Sequence, residues 1–151
     1  MFARFPSTLL LTLLLVSSGA VSQEAGGEGQ VTPPGYVFGV TVSNARELDI
    51  ILDRAANLLD EFDPQQHGRI AIVLHGEELQ LFQKQNYAAN QSLVEKARLL
   101  DSEQVIDIKA CQTMMRQLHI EQSELPPFIE QVPLAPVEID RLVREKGFTL
   151  F

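Results

Sequence analysis

Two side chains with reactive chemistry stand at the ends of apolar segments. Cys111, the only cysteine in the 151 residues, comes soon after the segment "QVIDI", and His75 directly follows "IAIVL". A thiolate is a nucleophile, and an imidazole can act as a base or bind an anion. If both segments are strands of a parallel sheet, both residues lie at its carboxyl edge, where α/β proteins place their sites. The alternatives are a buried, inert thiol and a structural histidine.

The residues around Cys111 bear on its reactivity. A helix predicted from Gln112 would direct its first amides towards the sulfur, which stabilises a thiolate modestly. Lys109 and Arg116 would add positive charge if they folded over the sulfur, although strand alternation could equally turn Lys109 away. We therefore predict a sulfur that lies near the first amides of the helix and is partly reachable from solvent.

Other catalytic patterns are missing from the sequence. It has no Gly-rich phosphate loop, no Gly-x-Ser-x-Gly and no evident pair of catalytic carboxylates. His75, Glu77 and Glu78 do not have the spacing of a known metal site, since the zinc-protease pattern needs two histidines four residues apart. We expect neither a metal nor a cofactor.

The N-terminus has the three-part plan of a secretory signal peptide. It carries Arg4 and no acid, then an apolar run over 9–16, then small residues that allow cleavage after Ala20 or, alternatively, after Ser22. Eight helical residues span about 12 Å, far less than the roughly 30 Å of a bilayer core, so we expect removal and not an uncleaved anchor. The predicted location is the periplasm.

Composition limits the remaining chain to one acidic domain. The full sequence has a net charge of −8, with acids and bases interspersed, which argues against nucleic acid as a partner. Residues 1–20 are the predicted signal peptide, 21–35 a disordered linker rich in Gly, Pro and Gln, and 36–151 the folded domain. One cysteine cannot form an internal disulfide, although a disulfide between chains is conceivable.

Periodicity predicts strands that alternate with helices. The predicted strands are 36–42, 69–76, 104–108, 129–132 and 148–151. Asn44 and Glu47 form a capping-box-like start for an amphipathic helix, and a break is expected near 86–90 in the segment after the second strand. Pro136 and Gly147 mark the two ends of the last helix. This alternation predicts a three-layer α/β domain, flavodoxin-like or related, with a mostly parallel five-stranded sheet and helices on both faces.

One set of residues has an order and spacing that match a known family. These residues are His75, Gly76, Tyr87, Ala88, Asn90, Cys111, Val132, Pro133, Gly147 and Phe148. None of them is diagnostic alone, but together they make the domain, from about residue 36 to 151, resemble the exported branch of the DsrE/DsrF-like family of sulfur-relay proteins.

The resemblance implies five parallel strands, assembly into homo-oligomers and a cysteine that in some members of the family accepts sulfane sulfur as a persulfide. Cys111 is the matching position, and His75 is a candidate auxiliary group. Two functions follow as hypotheses. The first is a periplasmic sulfur carrier, with at most a sulfurtransferase-like activity and a donor or acceptor protein as partner. The second is a non-enzymatic oligomeric protein in which Cys111 and His75 line a small ligand pocket.

Overall fold

The computed structural model describes residues 35–61 and 68–151, which contain one parallel sheet of five strands. The strands are β1 (Tyr36–Val40), β2 (Ile70–Leu74), β3 (Ile106–Cys111), β4 (Glu130–Val132) and β5 (Thr149–Leu150), and their order in the sheet is β4-β3-β2-β1-β5. All four neighbouring pairs are parallel, which confirms the predicted sheet. The order differs from the flavodoxin order 2-1-3-4-5, because β5 returns beside β1 after β4 has formed the opposite edge.

Helices cover both faces of this sheet, as predicted. The α-helices are α1 (Ala45–Glu61), α2 (Tyr87–Ser102), α3 (Gln112–Gln117) and α4 (Ala135–Lys146). Short 3-10 helices span Glu77–Phe82, Lys84–Asn86 and Gln122–Glu124. Helices α1 and α2 pack together on one face, and α4 packs against β1 and β2 on the other. The chain therefore has the expected three-layer α/β fold.

The alternation of side chains along β2 separates two cores. Ile70, Ile72 and Leu74 belong to the larger apolar cluster beneath α1 and α2, whereas Ala71 and Val73 belong to a smaller cluster beneath α4. All five side chains are buried, because both faces of this central strand are covered. We call the two sides the α1/α2 face and the α4 face.

Local signals in the sequence fix several helix ends. Glu47 N–H donates to Asn44 Oδ1 at 3.0 Å, while the Glu47 carboxylate accepts from Ser43 N–H. This is close to the predicted capping box, except that the Glu47 carboxylate accepts from Ser43 N–H and not from Asn44 N–H. At the other end of the chain, Gly147 closes α4 in the left-handed conformation, φ 74°.

The strand ends differ by up to three residues from the sequence expectations, and the largest difference is at β3. Strand β3 was expected to end at Ile108 but continues to Cys111, because Lys109 is buried by paired charges and so behaves as a strand residue. The expected break near 86–90 is confirmed, since Asn90 has non-helical angles inside α2.

The predicted signal peptide lies outside the described residues, as does the linker except for its last residue, Gly35. No helix in the described ranges is both long and apolar enough to cross a bilayer.

Candidate functional site

Cys111 and His75 occupy the same level of two neighbouring strands. The last paired position of β2 and β3 joins Leu74 to Ala110, and each candidate residue comes one position later. Ala71 and Val73 point to the α4 face, so the alternation turns His75 to that face, where Cys111 also lies. Neighbouring strands are about 4.8 Å apart. The fold thus brings the two predicted residues together at the carboxyl edge.

Cys111 is packed inside the protein. Its side chain is only 4% exposed and belongs to the small apolar cluster with Val37, Val73, Ala135 and Leu142. Although α3 begins at the next residue, the Cys111 side chain makes no capping hydrogen bond to its amides. The expectation of a sulfur partly reachable from solvent is therefore wrong for the single chain, because Cys111 belongs to the same apolar cluster as Ala135 and Leu142 of α4.

The ring of His75 leans towards β1. Thr41 Oγ1 lies 3.2 Å from Nδ1 of His75 and 3.4 Å from Nε2. A Cβ placed on Gly39 would lie 3.3 Å from Nε2 of His75 and 3.1 Å from Cδ1 of Ile139 in α4, so the absence of a side chain at this position leaves room for the ring. Within the described ranges, no hydrogen bond joins His75 to Cys111.

Glu78, which the sequence suggested only as a weak metal candidate, ties the loops of this edge together. Its side chain is almost fully buried, with one carboxylate oxygen 2.7 Å from Gly76 N–H and the other 3.2 Å from Val42 N–H. A Cβ on Gly76 would lie 2.5 Å from the Glu78 carboxylate. The carboxylate thus joins the loops after β1 and β2. In residues 35–61 and 68–151 no group of His, Cys, Asp and Glu is arranged to hold a metal ion.

A charged cluster adjoins Cys111 on the α4 face. Lys109, whose side chain is 4% exposed, forms ion pairs with Asp107 at 3.1 Å, with Glu138 at 3.7 Å and with Glu130. Arg141 holds Glu138 through two hydrogen bonds of 2.7 and 2.8 Å. The ammonium of Lys109 is therefore neutralised by carboxylates and is engaged away from the sulfur.

Both buried groups of this cluster have shifted pKa values. Burial acts to lower the pKa of Lys109, but its hydrogen bond to Glu130 and the charge of Asp107 outweigh burial, so the pKa is raised. The hydrogen bonds from Arg141 hold the pKa of Glu138 below its ordinary value, against the opposing effect of burial. Both shifts favour the charged forms, which stabilises the ion pairs.

Arg116, the second candidate cation, does not reach the thiol either. Its Nη2 donates to Thr113 Oγ1 at 3.0 Å, and the Thr113 hydroxyl in turn donates to Pro133 O at 3.0 Å. This chain of bonds joins α3 to the segment after β4. Neither cation that the sequence placed near Cys111 therefore contributes a hydrogen bond to the sulfur among the described residues.

A groove that the sequence did not reveal opens at the same edge of the sheet. It encloses about 550 Å³, within the range of small-molecule sites. Its apolar floor includes Leu125 and Ile129, which belong to the larger cluster on the α1/α2 face. Cys111 and His75 are not part of its wall, so this groove is not the pocket predicted from the sequence to be lined by these two residues. The polar residues of the wall are Lys84, Gln112, Gln122, Ser123 and Gln131.

Sequence reasoning missed the groove because its residues come from four separate elements. Lys84 belongs to the 3-10 helix before α2, Gln112 to the start of α3, Gln122 to another 3-10 helix and Gln131 to β4. None of them belongs to a recognisable motif. The one available signal was the position of Gln112 directly after a strand end.

The comparisons with known proteins support the fold. No family model matches the sequence, and no curated protein matches it. Among solved structures, the chain is similar to a protein of unknown function, MTH1491 from Methanobacterium thermoautotrophicum, with a TM-score of 0.61 and 15% identity. The match covers 77% of this chain and 96% of the other. At this identity the similarity shows a shared α/β fold, and membership of the DsrE/DsrF-like family stays a prediction.

Proposed function

We propose that this chain is the subunit of a non-enzymatic, exported α/β protein that binds a small ligand at the carboxyl edge of its sheet. The observation that carries this proposal is the burial of Cys111 among apolar side chains, without a hydrogen bond from the helix that follows it. A carrier thiol must meet its donor, so burial favours a packing role. The open groove at the same edge supplies room for a ligand.

Thiol labelling tests this proposal. In the folded protein at neutral pH, we expect Cys111 to react with a chromogenic disulfide only after denaturant is added. The matched control is Ser123→Cys in a Cys111→Ser background, because Ser123 is exposed and its replacement should be labelled at once. Rapid labelling of Cys111 in the native protein, faster as pH rises, would contradict the proposal.

Sulfur carriage is the second candidate, and the adjacency of Cys111 and His75 on one face favours it. In this reaction the Cys111 thiolate attacks the outer sulfur of thiosulfate, a new S–S bond forms, and sulfite leaves with the electron pair of the broken S–S bond. The product is a persulfide anion. A gain of one sulfur in the intact mass, reversed by a reductant and absent in Cys111→Ser, would establish this candidate instead.

Assembly is part of the proposal. Leu134 and Val137, at the start of α4 and next to the edge strand β4, are 41% and 62% exposed. A second copy would cover these apolar side chains, as the family resemblance suggests. We expect sedimentation to show a homo-oligomer and Val137→Glu to shift it towards monomer. A monomeric wild-type protein at tens of micromolar would contradict assembly.

Export is proposed on the leader sequence alone. Expressed with its own N-terminus in a Gram-negative host, the mature protein should begin at Val21 or, with the alternative cut, at Gln23. It should fractionate with periplasmic proteins. Membrane-bound material that retains Met1 would contradict export.

A further inference from the structure

The groove on the α1/α2 face combines one positive charge with amide groups and an apolar floor. Lys84 is exposed at its rim, and none of the residues in its wall is acidic. This is unexpected in a chain with 20 acidic and 12 basic side chains. Lys84 also forms no ion pair with any residue in the described ranges. Its ammonium is therefore available to a ligand.

The amides lie where they can bind the polar parts of the same ligand. Gln112 and Gln131 are half-buried in the groove wall, and Gln131 Nε2 donates to the carbonyl oxygen of Gln122 at 3.3 Å, which restrains its side chain. Glutamine amides supply both donors and acceptors. Leu125 and Ile129 are buried members of the core and give the floor a fixed, apolar surface.

We infer that this groove binds a small organic carboxylate with an apolar body, with the carboxylate on Lys84 and hydrogen-bonding substituents on the amides of Gln112 and Gln131. An inorganic anion would leave the apolar floor uncovered, and a neutral molecule would not use the ammonium. This inference rests on the proposed function and names its ligand class. It does not involve Cys111, whose side chain lies on the opposite face of the sheet.

The test is a titration of the folded protein, followed by the NMR signals of its backbone and glutamine side-chain amides. The probe is 4-hydroxybenzoate, which has a carboxylate, a hydroxyl and an apolar ring. The comparison ligand is 4-hydroxybenzamide, which has almost the same shape without the charge. We expect saturable shifts at Gln112 and Gln131 with a Kd on the order of a few millimolar, as befits a ligand of this size.

Lys84→Gln should weaken binding of the carboxylate about three- to fivefold and leave binding of the neutral amide unchanged, because an exposed charge contact is worth little more than that. Lys146→Gln, at an exposed lysine far along α4, is the control and should change neither affinity. Thermal melts of all three proteins establish that each is folded.

Three results would overturn the inference. They are equal affinity for the acid and the amide, an unchanged carboxylate affinity in Lys84→Gln, and no saturable shift up to about 10 mM of 4-hydroxybenzoate. If Cys111 is still protected from labelling in such a protein, the groove inference alone has failed. If Cys111 is labelled rapidly while the groove binds the carboxylate, the non-enzymatic function has failed instead.

Discussion

The two faces of β3 differ in what closes them. Towards α1 and α2 the strand presents Ile106, Ile108 and Ala110, all buried in one apolar cluster. Towards α4 it presents Lys109 between Asp107 and Cys111, and only the cysteine belongs to an apolar cluster. The two faces differ because α4 packs mainly on β1 and β2. Over β3, the same side of the sheet is therefore closed largely by ion pairs. Apolar packing therefore holds one face, and charge pairing holds part of the other.

The largest effect should come from opening the α1/α2 face. Leu52 is fully buried in its core, so Leu52→Ala should lower the free energy of unfolding by about 2–5 kcal/mol through lost contacts and a cavity. Leu99→Ala, on the exposed side of α2, is the control and should cost less than about 1 kcal/mol. Urea unfolding measures both. Equal losses would mean that this core is not the main source of stability.

A smaller loss is expected when the charges on the α4 face are unpaired. Lys109→Met removes the cation shared by Asp107, Glu130 and Glu138, and should cost about 1–3 kcal/mol, because two of these carboxylates keep partial access to water. Lys96→Met removes a cation from a more exposed pair of acids, Asp49 and Asp53, and should cost less than about 1 kcal/mol. If the two variants lose the same stability, burial adds nothing to the Lys109 pairs.

The charged cluster also predicts how acid acts on this face. The pKa of Glu138 is lowered in the folded protein, so its contribution to stability is present above the unfolded pKa of about 4.5 and is lost as pH falls through the lower folded value. The stability difference between wild type and Glu138→Gln should therefore be largest near neutral pH. It should shrink as pH falls below about 4.5. A difference that grows as pH falls would contradict the Arg141–Glu138 assignment.

The raised pKa of Lys109 acts at the opposite end of the pH scale. Its contribution is complete below the unfolded pKa of about 10.5 and is lost as pH rises through the higher folded value. Between these limits both groups are charged. The α4 face should therefore keep its ion pairs across the neutral range, and acid should affect it before mild alkali does.

The apolar face could be predicted from the sequence far better than the charged one. Leu48, Leu52 and Ala55 recur with the spacing of the predicted amphipathic helix and are buried, because this spacing alone decides which side of α1 is apolar. Lys109 gave no such signal. Its burial depends on Glu130 and Glu138, which lie on other elements and reach it only in the folded chain.

The position of the candidate site could be predicted from the sequence, but the exposure of its thiol could not. Strand ends indicated where Cys111 and His75 would meet, since parallel strands place their carboxyl ends at one edge. The exposure of the thiol depends on how residues of α4 pack around it in the folded chain, which no local pattern encodes. The role of Glu78 was missed for the same reason. Its carboxylate oxygens accept hydrogen bonds from backbone amides of two separate loops, which come together only in the folded chain.

The smallest predicted effect concerns Thr41, His75 and Cys111. These residues directly follow or end neighbouring strands at one level of the sheet, where the apolar packing of the α4 face meets its ion pairs. In Gly39→Ala the new Cβ would lie 3.1 Å from Cδ1 of Ile139 and 3.3 Å from Nε2 of His75. Both atoms are at the ends of side chains and can yield, and alanine loses less backbone entropy than glycine in a strand. We therefore expect a change in unfolding free energy within about 0.5 kcal/mol.

The informative readout for Gly39→Ala is the position of the imidazole. The ring proton signals of His75 should move in the NMR spectrum, while those of His119, beyond the end of α3, should not. If the displaced ring then turns towards β3, the rate at which Cys111 is labelled should change as well, because His75 lies beside Cys111 across the two strands. Unchanged His75 signals would show that the ring does not lie over Gly39. A loss above about 2 kcal/mol would show instead that Ile139 and the ring are held rigidly, and that packing, not ion pairing, continues to this edge of the α4 face.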